Sequence, residues 1–171
     1  MSQFVVDVES DNPAPVIGSI VCFGAVMVED MSKTFYGQIR PITEHYSEDA
    51  LAISGFTREE HLEFNEPVVV MQEFRNWINQ VNQKGRPVFW SDNPAFDFQW
   101  INFYFHNFLG FNPFGWSGRR IGDLICGYKG NAFYKWKKHR KTAHDHHPVN
   151  DAKGNAEALW YIKNEGLKIK L

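Results

Sequence analysis

Three short stretches of this chain put acids where acids are hard to keep. The first is Asp7-Val8-Glu9. Residues i and i+2 of a strand point to the same face, so these carboxylates project together while Val6 and Val8 take the other. Neighbouring carboxylates on an apolar strand repel each other and are costly to take out of water. A divalent cation relieves both penalties; a solvated strand edge would also account for the pair, since this triplet is common. The second stretch is Asn93-Pro94-Ala95-Phe96-Asp97, with Asp97 in the first turn of a helix amid Phe96, Phe98 and Trp100. The helix dipole alone accommodates an acid there. The third is His146-His147-Pro148-Val149-Asn150-Asp151. His146 stands just before a helix and Asp151 lies inside it, so a base and an acid can converge on one point. His144 adds another imidazole and invites zinc, but no cysteine accompanies it and the spacing fits no common structural zinc pattern.

The elements that must position these groups follow from periodicity and punctuation. Gln3 to Glu9 reads as a strand, Ile17 to Val28 as a longer one, and Thr34 to Ile39 as a third. Ser10 to Pro15 is loop chemistry with two prolines, and Glu29 to Ser32 is a polar turn, so the three strands form an antiparallel meander. Ser47 to Ser54 is a short helix stopped by Gly55, and Thr57-Arg58-Glu59-Glu60 has capping-box spacing. From Pro67, residues Val70, Phe74, Trp77, Ile78 and Val81 recur at helical spacing until Gly85. Pro87 to Trp90 is a strand; Phe96 to Leu109 and Ile121 to Tyr128 are helices; Asn131 to His147 is irregular and basic. Pro148 to Asn164 is a helix with proline in its first turn and Gly166 beyond its end. This order predicts an α/β fold, a central mixed sheet whose first three strands are antiparallel, flanked by helices. With no repeat, low-complexity tract or linker, residues 1–171 read as one domain.

Composition narrows the function classes. At 43% hydrophobic residues the chain can bury a core. Fifteen Phe and six Trp fill much of it, and also offer rings on which bases could stack. The formal net charge of −2 provides no global field for nucleic acid, so attraction to phosphates must be local. Cys22 and Cys126 sit in apolar segments and read as buried reduced thiols. No signal peptide is expected, because Phe4-Val5-Val6 already reads as strand, and no apolar run reaches the roughly 20 residues of a membrane span. The expectation is a cytoplasmic protein without a membrane partner.

Taken together and in this order, Asp7-x-Glu9, Asn93-x-x-Phe96-Asp97 and His146-x-x-x-x-Asp151 resemble the three motifs of the DEDDh exonucleases. That group includes the proofreading subunit of bacterial replicative polymerase, RNase T and oligoribonuclease. Three further segments are similar to family elements: residues 17–26 to its second strand, 50–57 to the stretch before its small helices, and 151–159 to its final helix. The resemblance covers nearly the whole chain and implies an RNase H-like fold. Two departures stand out. Asp92 occupies the place where many relatives carry His, and Ser10 follows the first motif where Thr is frequent. Neither replaces a metal ligand, so both bear on substrate placement.

What the resemblance implies is a 3′→5′ exonuclease that releases 5′-mononucleotides from single-stranded nucleic acid with a free 3′ end. Its catalytic set would be Asp7, Glu9, Asp97, Asp151 and His146. Two divalent cations, Mg²⁺ or Mn²⁺, set roughly 3.5–4 Å apart, would assist hydrolysis. Asp7, Glu9 and Asp151 would hold one ion, Asp7 would reach the second, and Asp97 would act through water or a longer contact. Histidine titrates near neutrality, which suits His146 as general base. Main chain at Val8 and Ser10 would face the last sugar, Asn93 would help place substrate, and Phe56 and Phe96 could wedge or stack unless they are core. The compact length suggests the small exoribonuclease branch of bacteria and phages. An exodeoxyribonuclease on the same site is the alternative, and a catalytically silent nucleic-acid-binding module is a second. A homodimer is compatible with the resemblance.

One segment points to substrate on its own terms. Lys129, Lys135, Lys137, Lys138, Arg140 and Lys141 form a basic run with no acid between them, interleaved with Phe133, Tyr134 and Trp136. Cations beside ring faces are what a groove for single strands needs. Such runs are usually solvated loops, but this one leads straight into His146. Lys137, Lys138 and Arg140 are the expected substrate contacts.

Overall fold

The computed structural model describes residues 1–169. Five strands form one sheet: β1 (Gln3–Ser10), β2 (Ile20–Met27), β3 (Thr34–Gln38), β4 (Val88–Ser91) and β5 (Gly118–Arg120), in the spatial order β3-β2-β1-β4-β5. β1 pairs antiparallel with β2 and β2 with β3; β4 runs parallel to β1, and β5 parallel to β4. The expected meander and mixed sheet are both present. β5 is an addition: three residues at the sheet edge, Gly-Arg-Arg, carry no apolar alternation by which sequence could reveal them.

Alternation along β1 decides which helices lie where. Phe4, Val6 and Val8 point to one face and pack under α3 (Pro67–Val81) and α4 (Asp97–Leu109). Phe74 of α3 is fully buried there, with ring centroids of Phe23 and Phe35 each 4.9 Å away. Val5 points to the opposite face, covered by α5 (Ile121–Lys129), a 3₁₀ turn (Trp136–His139) and α6 (Pro148–Asn164). Asp7 and Glu9 share the parity of Val5 and therefore face α6.

The approach of α6 to the sheet depends on Gly24, the antiparallel partner of Asp7. A Cβ there would lie 2.5 Å from the Pro148 carbonyl carbon and closer still to Val149 N. Two small helices, α1 (Glu48–Ile53) and α2 (Arg58–Leu62), follow β3. The capping box at Thr57 forms as expected, Thr57 Oγ1 accepting from Glu60 N and Glu60 Oε2 accepting from Thr57 N at 2.8 Å. α2 anchors the chain leaving β1: Arg58 pairs with buried Asp11 at 3.2 Å, while Asp11 Oδ1 accepts from Ser19 N at 2.5 Å. Cys22 is buried, Cys126 half-buried, and both are free thiols. No helix among the described residues is long and apolar enough to cross a membrane.

Candidate active site

The three acidic stretches meet at the C-terminal end of β1. Carboxylate oxygens of Asp7, Glu9 and Asp151 all lie within 4.8 Å of one another. Asp151 sits in the first turn of α6, and is 2% exposed. Neither of its oxygens has a hydrogen-bond partner. His144 Nδ1 approaches Asp151 Oδ1 to 2.6 Å, but as a charge contact lacking hydrogen-bond alignment.

Asp97 reaches the cluster from the opposite side of the strand. As the first residue of α4 it is buried, and its Oδ1 accepts from Val8 N at 3.2 Å while Oδ2 accepts from Asn93 N at 3.4 Å. Asp97 thus occupies a helix N-terminus and lies close enough to Asp7 to repel it. The Val8 amide is consequently occupied by Asp97, which removes that donor from any contact with a sugar. Ser10 is buried and its hydroxyl donates to Asn12 O at 2.7 Å.

Electrostatics set this cluster apart from surface acids. Burial, then repulsion by Asp97, Glu9 and Asp151, pushes Asp7 well above the usual carboxylate range, against a lowering pull from Arg140. Burial, followed by Asp151 and Asp97, raises Glu9 to about 7. Burial likewise raises Asp97 to about 7, against hydrogen bonds from Val8 and Asn93 that favour its charged form. Buried, mutually repelling hard oxygen donors fit a divalent cation, which satisfies their lone pairs and cancels their charge together.

His146 stands at the open side of the cluster, about half exposed, with Nδ1 3.7 Å from Glu9 Oε1. Its backbone is left-handed, φ 61, a conformation that is uncommon for side-chain-bearing residues and commonest among Asn, Asp and His. Asp145 holds this turn: its Oδ1 accepts from His147 N at 3.0 Å and its Oδ2 from Asn150 Nδ2 at 2.8 Å. Those two hydrogen bonds, the His147 amide first, keep the Asp145 carboxyl below its ordinary value. His146 and His147 also line a cleft of about 240 Å³ with Phe56, Tyr36 and Cys22. Phe56 is half-buried at this cleft, edge-on to Phe64, whereas Phe96 packs against the core beside Trp100.

The basic stretch is not a free loop. Trp136 is buried against α5 and α6, and Glu157 accepts from the amides of Lys141 and Thr142, each at 2.7 Å. Lys137 is ion-paired with Asp92, and Arg140 Nη2 lies 3.7 Å from the same carboxylate. Lys137, Lys138 and Phe133 are exposed, as a groove requires, with Phe133 91% exposed. Arg140 departs from expectation: only 9% of its side chain is exposed, and it donates to Asn155 of α6. The bare Gly154 surface leaves room for its stem, so the guanidinium turns inward toward the acids.

Comparison with known proteins decides the lineage. The model of the 3′–5′ exoribonuclease Rv2179c-like domain family matches residues 2–163. The chain belongs to this family. The exonuclease is also 33% identical to the 3′–5′ DNA exonuclease Cap18 of Escherichia coli, over 97% of this chain and 94% of that protein. Family and relative agree on 3′–5′ exonuclease activity, and the chain is a 3′–5′ exonuclease. Among solved structures, the nuclease domain of 3′hExo, a DEDDh family member bound to rAMP, superposes with a TM-score of 0.78 at 15% identity. That match covers 99% of this chain and 94% of the other. E. coli ExoI in complex with single-stranded DNA gives 0.71 at 14% identity, covering 98% of this chain and 41% of that one. These likenesses establish the expected RNase H-like fold of the DEDDh exonucleases.

Several residues of the exonuclease's site escaped the sequence reading. Gly24 lies inside an apolar strand, where a glycine often marks close backbone approach. Asp145 sits three residues before Pro148, and aspartate accepting from the amide two residues on is a recognised turn former. His144, considered only for zinc, contacts Asp151, and its donors lie with those of His146 and Asp151 within 4.8 Å. Asn155 and its hold on Arg140 had no local signal.

Proposed function

We propose that this exonuclease removes 5′-mononucleotides from the 3′ end of single-stranded nucleic acid at Asp7, Glu9, Asp97, Asp151 and His146. The observation that carries the reading is Asp151, whose buried oxygens lack hydrogen-bond partners beside two further carboxylates. The half-exposed His144 approaches but leaves both oxygens without an aligned donor, and burying a poorly compensated carboxylate is costly, so a cation is the natural partner. Asp7, Glu9 and Asp151 would hold one Mg²⁺ or Mn²⁺; Asp7, with Asp97 at longer range, would hold a second. Two such ions supply an activated water and charge stabilisation at the leaving oxygen.

The remaining work falls to the chain's own groups. His146, on the solvent side of the acids, takes the proton of the attacking water at a ring nitrogen and returns it to solvent. Asp145 fixes the turn that aims it. The cleft between Phe56 and His147 receives the terminal nucleoside, and Lys137 and Lys138 draw in the phosphates behind it. RNA is the first choice of substrate, because the family matching residues 2–163 is described as exoribonucleases. DNA is the second reading, favoured by the relative at 33% identity, which is named as a DNA exonuclease.

Matched 3′-labelled RNA and DNA strands, digested side by side with Mg²⁺ and with Mn²⁺, test both readings. Faster loss of the RNA label supports the first, and faster loss of the DNA label the second. His146→Ala should slow turnover strongly without changing the circular dichroism spectrum. Normal activity in that variant would remove His146 from the mechanism.

A further inference from the structure

Cations from two distant parts of the chain meet at one corner of the sheet. Arg119 and Arg120 form most of β5, whose register sets Trp90 beside Arg119 and Ser91 beside Arg120. Arg120 Nε donates to the main-chain carbonyl of Asp92 at 3.1 Å. The Asp92 carboxylate takes Lys137 as its ion-pair partner and has Arg140 at 3.7 Å. One acid, in the turn leading to Asp97, is thus surrounded by cations that sequence separates.

This corner is open and on the working side of the protein. β1, β4 and β5 are parallel, so Glu9, Ser91 and Arg120 all lie at the same end of the sheet. Arg119 and Arg120 are exposed, and Lys137 is 58% exposed. Asp123 pairs with Arg120 at 3.0 Å, but both are more than half exposed, so the pair is weak and readily exchanged. Arg119, the neighbour of Arg120 along β5, points to the other face and lies over the Trp90 ring at 5.3 Å, so it stands apart from Asp92. A chain with net charge −2 has concentrated positive charge here, beside the acids that would receive a 3′ end.

We propose that this corner is a second phosphate subsite, in which Arg120 and Lys137 hold the backbone of the strand upstream of the nucleotide being removed. The Asp92 carboxylate keeps the place of a phosphate in the free protein. The inference rests on the exonuclease site described above, because it requires the 3′ end at the acid cluster. It makes the enzyme discriminate by length: a dinucleotide ends before the corner, whereas a decamer crosses it.

The test combines binding with turnover. Affinity for a fluorescein-labelled single-stranded decamer is measured by anisotropy in EDTA over a range of salt, for wild type and Arg120→Gln/Lys137→Gln. Loss of two phosphate contacts lowers the log–log salt slope by about 1.4. In Mg²⁺, kcat/KM on the decamer should fall about tenfold while dinucleotide hydrolysis is unchanged. Arg120→Lys/Lys137→Arg should keep the salt slope, showing that charge and not packing is responsible. Asp92→Asn should bind the decamer about two- to fivefold more tightly at low salt.

An unchanged slope in the glutamine variant overturns the subsite, as does an equal loss on dinucleotide and decamer. Weaker decamer binding by Asp92→Asn overturns the placeholder role. A wild type that shows the steep slope, loses it in the glutamine variant and yet cuts neither substrate supports the corner, and counts against the acid cluster instead.

Discussion

The two faces of this sheet are built on opposite terms. Under α3 and α4, Phe4, Phe23, Phe74, Phe89 and Phe105 bury aromatic surface completely. Under α6, the same β1 strand offers Asp7 and Glu9, and the helix answers with Asp151 instead of an apolar side chain. Arg140 Nε, Asn155 Nδ2 and both Asp151 oxygens lack partners on that side. Filling one face with rings provides the stability that the other gives up to keep charges close. Replacing charged groups in such places by apolar ones often stabilises a protein, so their retention points to function.

The largest expected effect comes from removing a charge. Asp7→Asn should lower exonuclease turnover by about a thousandfold or more, since the ions it would hold supply several kcal/mol of transition-state stabilisation. The same variant should melt at a higher temperature than wild type in EDTA. A lower melting temperature would mean that the acidic face is not the strained one. Phe74→Ala inverts the pattern. It should cost about 3–5 kcal/mol of stability in urea denaturation and leave kcat/KM intact below its melting transition.

Gly24→Ala probes the hinge between the faces. Its methyl group meets α6 backbone, which cannot rotate aside, so about 1–3 kcal/mol of stability is lost. Turnover should drop alongside, because Asp151 moves with the helix. Full activity with reduced stability would separate helix position from the site.

The gentlest probe is pH in the absence of metal. Asp7, Glu9 and Asp97 keep protons in the folded state that the unfolded chain releases near pH 4, Glu9 and Asp97 until about 7. Their contribution is therefore full below pH 4 and lost as pH rises toward and past 7. Buried His61, lowered to about 4 chiefly by desolvation, acts oppositely, costing stability as pH falls from its ordinary value toward 4. Denaturation in EDTA should show the carboxylate loss as pH rises from about 4 through 7, smaller in Asp97→Asn. Mg²⁺ or Mn²⁺ at a hundred times its Kd should add about 2.7 kcal/mol at pH 8.

Much of this architecture was legible because glycine and proline punctuate it. The helix from Pro148 to Asn164 is observed with the bounds that those residues imply. Asp7 and Glu9 share a face through the period of a strand, which is local information. What could not be read depends on partners remote in sequence. The Val8 amide meets Asp97 across 89 positions, and Arg140 turns inward because Asn155 waits there. β5 was invisible since an edge strand of three residues needs no apolar pattern. The basic stretch reads as an irregular loop in sequence, whereas Asp92, Trp136 and Glu157 anchor it to the body of the protein.

The helix that carries Asp151 also sets a schedule. Asp7, Glu9 and Asp97 leave the ribosome well before His146 and Asp151. A growing chain therefore carries Asp7, Glu9 and Asp97 before His146 and Asp151 are made. Only when α6 has cleared the exit tunnel and settled against Gly24 does the full set exist. The candidate site is therefore assembled late in synthesis, after most of the sheet that carries it.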